Sequence, residues 1–124
     1  MLRFAVLLAV PWLFVVPCRG AEHTDVCDKA SSQAELNACS AERYQAAEKE
    51  MNEDYRRLRA RLRGKNRDLL TRAQNAWLGF RKVECELESS PARGGTAYVA
   101  LHNQCLTRIT TGRTEDLKRL MHDM

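Results

Sequence analysis

Residues 36–62 read LNACSAERYQAAEKEMNEDYRRLRARL, and the spacing within this stretch decides the fold class. Leu36, Ser40, Tyr44, Ala47, Met51, Tyr55, Leu58 and Leu62 recur at steps of 4, 4, 3, 4, 4, 3 and 4. That is one face of an α-helix and does not fit the two-residue alternation of a strand. Ser31 or Ser32 is placed to cap this helix, and Glu35 lies three residues beyond Ser32 as a capping box requires. Gly64, just beyond Arg63, supplies the stop. The helix spans about thirty residues, a rod of roughly 45 Å.

Downstream, a second helix is expected to open near Asn66 or Asp68 and to bury Leu69, Leu70, Ala73, Ala76, Trp77, Phe80, Val83 and Leu87. Ser89, Ser90, Pro91 and the Gly94-Gly95 pair then break the chain. From Thr96 or Ala97 a third helix carries Leu101, Cys105, Leu106, Ile109, Leu117, Leu120 and Met124 inward. Gly112 is its weak point, costing about 1 kcal/mol relative to Ala, so a bend or break is open there. Three amphipathic helices with short connections make an all-α fold, a small three-helix up-down-up bundle.

Upstream, residues 1–20 have the layout of a signal peptide: Arg3, the apolar run FAVLLAVPWLFVV, then Cys18 and Gly20 at the minus-three and minus-one positions of a cut. The apolar run is thirteen residues and contains Pro11, whereas a membrane span needs about 20. Lipid anchoring at Cys18 is the lesser alternative, because Pro17 stands where a lipoprotein signal carries a small residue. The mature chain is then residues 21–124, a single helical domain without a transmembrane segment, periplasmic or secreted. Its oligomeric state is left open by the sequence.

Cleavage removes Arg3 and Arg19, leaving 18 basic and 16 acidic residues, a charge of +2. That balance gives no electrostatic case for nucleic acid. Cys27, Cys39, Cys85 and Cys105 remain, an even number in a small exported domain, which reads as two disulfides. Their spacings of 12, 46 and 20 lack the close pair typical of zinc. The up-down-up topology brings Cys39, Cys85 and Cys105 to one end of the bundle, with Cys27 in reach. All three pairings are conceivable there, and Cys27 with Cys39 and Cys85 with Cys105 are favoured.

Polar residues fall on faces expected to be apolar. Gln74, Trp77, Arg81 and Glu84 share one face of the second helix, at steps of 3, 4 and 3. With Glu48 and Asn52 on the first helix and Arg113 on the third, they form a candidate structural network that fixes helix register through the guanidinium fork. Residues 56–67, RRLRARLRGKNR, hold seven basic residues and read as a solvated face at a helix C-terminus. Glu48, Glu50, Glu53 and Asp54 could suggest a glycosidase carboxylate pair, but they crowd one helix and read as surface charge. The exposed loop SSPARGGT offers Pro91, Arg93, Gly94, Gly95 and Thr96 as a partner contact. No nucleophile-and-base set, phosphate loop or cofactor motif is present in the sequence, so no enzyme and no cofactor is expected.

Cys27, SQAELNAC ending at Cys39, EKEMNEDY, QNAWLGFRKVEC, Gly94-Gly95-Thr96 and CLTRITTGRTEDL together resemble the LprI-type lysozyme-inhibitor family of bacterial envelope proteins. The match spans nearly the whole mature chain, with Glu48 where the family often carries Asp. The resemblance implies a small exported or lipid-anchored helical domain whose protein partner, for some members, is lysozyme. The leading expectation is therefore an inhibitor that sterically blocks a peptidoglycan-cleaving enzyme. The alternative is a non-catalytic envelope interaction or stress module that holds an anionic component or protein partner on the arginine-rich face.

Overall fold

The computed structural model describes residues 26–124; the expected signal peptide and Cys18 lie outside them. A 3-10 turn at Val26–Lys29 leads into α1 (Gln33–Arg61), α2 (Gly64–Glu88), a second 3-10 turn at Ser90–Ala92, and α3 (Tyr98–Asp123). No strand occurs among the described residues, and none of their helices is long and apolar enough to cross a membrane. The helices form the up-down-up bundle: Arg81 reaches Glu48 and Tyr55 reaches Thr71 between antiparallel α1 and α2. Asn103 reaches Ser40 and Lys118 reaches Glu50 between parallel α1 and α3. Most of the interhelical packing is between α1 and α3.

The stripe that predicts α1 is the stripe it turns inward, with Ser40, Met51 and Leu58 buried. Ser32 caps the helix by accepting from Glu35 N at 3.2 Å. The reciprocal half of the box is shifted by one residue, since the Glu35 carboxylate accepts from Ser31 N at 2.7 Å and Ser31 Oγ at 2.8 Å. At the other end Leu62 and Arg63 interrupt the helix, and Gly64 takes φ +52° as the first residue of α2. The left-handed conformation favours glycine there. It also lets α2 open two residues before Asn66.

Both favoured disulfides are present, Cys27–Cys39 strapping the first turn onto α1 and Cys85–Cys105 joining α2 to α3. The second one sets the rotation of α2. Because Cys85 must face α3, the stripe Leu70, Gln74, Trp77, Arg81, Cys85 turns inward, and the neighbouring stripe, about 120° around the helix, turns out. Leu69, Ala73, Ala76, Phe80, Val83 and Leu87, expected in the core, are therefore exposed.

On α3 the inward residues are Ala100, Cys105, Thr110, Thr114 and Leu117, while Leu101, Leu120 and Met124 are exposed rather than buried as expected. The helix runs unbroken through Gly112. The apolar core is small: Met51, Leu58, Leu70 and Leu117, with Tyr55, Leu62, Trp77 and Met121 packed against it.

Candidate functional site

Two places hold more polar chemistry than packing requires. The first is the middle of the bundle. Arg81 donates from Nη2 to Glu48 Oε1 and from Nη1 to Thr110 Oγ1, both at 3.0 Å. Its guanidinium also lies over Trp77 at 5.0 Å and Tyr44 at 5.5 Å. Tyr44 donates its hydroxyl to Glu48 Oε1 at 3.0 Å, and burial, then this bond to an anion, holds the phenol above its usual pKa. Arg113 Nε donates to Gln74 Oε1 at 3.0 Å and its guanidinium flanks Trp77 at 5.9 Å. Burial pushes the Arg113 pKa below the usual guanidinium value.

Of the expected network, Glu48, Gln74, Trp77, Arg81 and Arg113 come together. Asn52 and Glu84 do not join them: Asn52 is exposed, one step around the helix from Met51, and Glu84 is half-buried beside Cys85. Tyr44 and Thr110 take their places. Asp54, expected among surface carboxylates, is fully buried. It pairs with Arg57, and its Oδ2 lies 3.9 Å from Lys118 Nζ. The signal for its burial was available, since Asp54 follows Met51 by three residues and precedes Leu58 by four. Arg81, Gln74, Thr110 and Asp54 are buried, so the centre of this network is closed to a solute, while Glu48 at its edge is 34% exposed. No cluster of metal-ligating side chains occurs among the described residues.

The second place is the connection between α2 and α3, where Pro91, Arg93, Gly94, Gly95 and Thr96 are all exposed. Its inner side is tied down. Ser89 donates Oγ to Cys85 O at 2.6 Å, and His102 Nδ1 lies 3.1 Å from Ser89 Oγ and 3.2 Å from Cys85 O. The Tyr98 ring stacks on His102 at 5.5 Å. Turn bonds run from Ala92 N to Ser89 O, Arg93 N to Ser90 O and Gly95 N to Ala92 O at 3.0, 3.1 and 2.9 Å. Gly94 sits at φ +80°, and a Cβ on Gly95 would come within 3.2 Å of Ala92 O. The outcome is a short loop held rigid from within by the neighbouring disulfide and turn bonds, with the Arg93 side chain exposed on it.

The basic run is mostly occupied locally. Arg57 pairs with Asp54, Arg59 Nε reaches Thr71 Oγ1 at 3.4 Å, and Arg61 donates to Met121 O at 3.2 Å. Arg63 donates to Ala60 O at 2.7 Å and Leu62 O at 3.0 Å, satisfying carbonyls left open at the end of α1. The run thus serves the helix end that its position implied.

The model of the family described as lysozyme inhibitor LprI matches residues 26–117. An uncharacterized protein of Rhizobium meliloti is 36% identical over 118 residues, covering 85% of each chain. The crystal structure of a DUF1311 family protein from Pseudomonas putida superposes with a TM-score of 0.65 at 27% identity, covering 69% of this chain and 90% of that one.

Proposed function

The chain belongs to the LprI lysozyme-inhibitor family, and from that premise we propose that it binds a peptidoglycan-cleaving enzyme of the lysozyme type and blocks it by occlusion, leading with the loop between α2 and α3. The observation that carries this reading is the combination of a protruding guanidinium with a rigid mount. Glycosidases of this kind work with two carboxylates flanking the scissile bond. Arg93, exposed on a turn of glycine and proline, has the charge and fork geometry to engage such a pair. The Cys85–Cys105 bridge lies directly behind the loop, so little ordering entropy is lost on binding. Two disulfides in a domain of this size also favour an oxidising compartment, in keeping with export by residues 1–20 to the periplasm or the medium.

A residual-lysis assay tests the proposal. Purified chain in stoichiometric excess is expected to suppress lysozyme turnover on peptidoglycan. Arg93→Ala should weaken inhibition by about tenfold or more, equivalent to about 1.4 kcal/mol, with an unchanged melting temperature. Full lysozyme activity in the presence of excess folded protein would sink the reading.

A further inference from the structure

Leu69 is 46%, Phe80 54%, Val83 64% and Leu87 67% exposed, and with Ala73 and Ala76 they recur at steps of 4, 3, 4, 3 and 4 along α2. This alternation of three and four is the seam of a two-stranded coiled coil. It lies on the side of the helix that the Cys85–Cys105 bridge turns away from the core. A regular row of exposed large apolar side chains along one helix face, unlike apolar residues scattered singly over a surface, points to an interaction site.

We propose that this stripe is the interface of a two-fold symmetric dimer, in which α2 of one copy packs antiparallel against α2 of a second copy of the same chain. Charge beside the seam chooses both the occupant and the direction. On its outer flank the residues are Lys65, Arg72, Gly79 and Glu86, basic towards the start of α2 and acidic towards its end. Arg72 and Glu86 are exposed and neither has a side-chain partner among the described residues.

Antiparallel pairing centred between Ala76 and Phe80 sets Leu69 against Leu87 of the second copy. It also sets Arg72 against Glu86 of the second copy, twice by symmetry, and brings the two Gly79 residues together where no side chain obstructs approach. Parallel pairing would instead set Arg72 beside Arg72 and Glu86 beside Glu86. A surface complementary to its own inverted image is what an isologous interface requires.

Beside Leu69 and Ala73 a groove of about 260 Å³ opens between the start of α2 and the end of α3, walled by Leu120 and Met124. That is where Leu87 of the second copy falls, and it extends the contact beyond the helix pair. The seam is about 27 Å long at 1.5 Å per residue, which buries on the order of 1,000 Å² in total, at the low end for a specific dimer.

Sedimentation equilibrium of the exported, disulfide-intact chain from about 1 to about 200 μM tests this. A monomer–dimer equilibrium is expected, with Phe80→Glu raising its Kd at least about tenfold while circular dichroism and melting temperature stay unchanged, because Phe80 is exposed. Arg72→Glu and Glu86→Arg should each weaken dimerisation on the order of tenfold. An equimolar mixture of these two variants should recover it, as should the double variant. A monomer across the whole range would overturn the proposal, as would a dimer indifferent to Phe80→Glu or a charge swap without recovery. A monomer whose lysozyme inhibition is lost in Phe80→Glu would overturn it too, assigning the face to the target enzyme.

Discussion

Replacing Arg81 by Met should be among the most damaging single changes to this bundle, even though it makes the interior more apolar. Methionine keeps the aliphatic stem's contacts, so the loss is confined to the guanidinium. Removed are the charge-assisted bond to Glu48 and the bond to Thr110, each 3.0 Å, and the placement over Trp77 and Tyr44. A hydrogen bond to a charged group contributes about 1.5–3 kcal/mol, and each cation–π contact about 0.5–1. Glu48 is 34% exposed and keeps the Tyr44 hydroxyl, so water screens much of the cost of leaving it unpaired.

The balance is a destabilisation of about 2–3 kcal/mol, or a fall of roughly 10–20 °C in melting temperature for a domain this size. Urea unfolding with both disulfides oxidised measures it. Adding Glu48→Gln should cost less than the sum of the single changes by at least about 1 kcal/mol, because the two residues share one interaction. Inhibition, measured well below the transition, should be unaffected, since Arg81 points inward. A loss within about 0.5 kcal/mol, or strict additivity with Glu48→Gln, would refute the register-setting role for this pair.

Two further outcomes follow from the bundle's chemistry. Removing the Cys85–Cys105 bridge by paired alanine substitution should cost about 3 kcal/mol from loop closure, plus a packing loss because both cysteines are fully buried. Removing Cys27–Cys39, with its shorter separation of 12 residues and half-buried Cys39, should cost less, and equal urea midpoints for the two double variants would count against this ordering. The Tyr44 phenol is raised in the folded state above its unfolded value of 10.0. Its contribution is therefore fully present below pH 10 and is lost as pH rises from there through the folded pKa. Tyr44→Phe should make the alkaline fall in stability shallower, and parallel curves for the two proteins would contradict it.

The first helix was legible because one period accounts for it: the stripe from Leu36 to Leu62 faces inward throughout, and the misplaced residues were Asn52, which is exposed outside the polar network, and Asp54, hidden among carboxylates that do reach solvent. The second helix was not legible from hydrophobicity, because it carries two stripes and the more apolar one faces out. What chooses between them is non-local. Cys85 finds Cys105 twenty residues away, and Arg81 finds Glu48 and Thr110 on two other helices. The polar signature Gln74, Trp77, Arg81 pointed to the inner face, yet summed hydrophobicity outvoted it. On α3 the same difficulty appears as Thr110 and Thr114, which are buried between neighbours while Leu101 and Leu120 are not.

The inversion on α2 constrains what the helix is for. If the fold alone set its sequence, the outward positions would tolerate Lys or Glu at little cost to the bundle, since surface substitutions away from specific contacts change stability by about 0.5 kcal/mol or less. Leucine, phenylalanine and valine there instead expose surface that favours association in solution. Their spacing is regular over the length of the helix, where scattered surface apolar residues would be ordinary. The inner face is thus specified by covalent and polar partners, which leaves the apolar pattern of the outer face free to encode a contact with another chain.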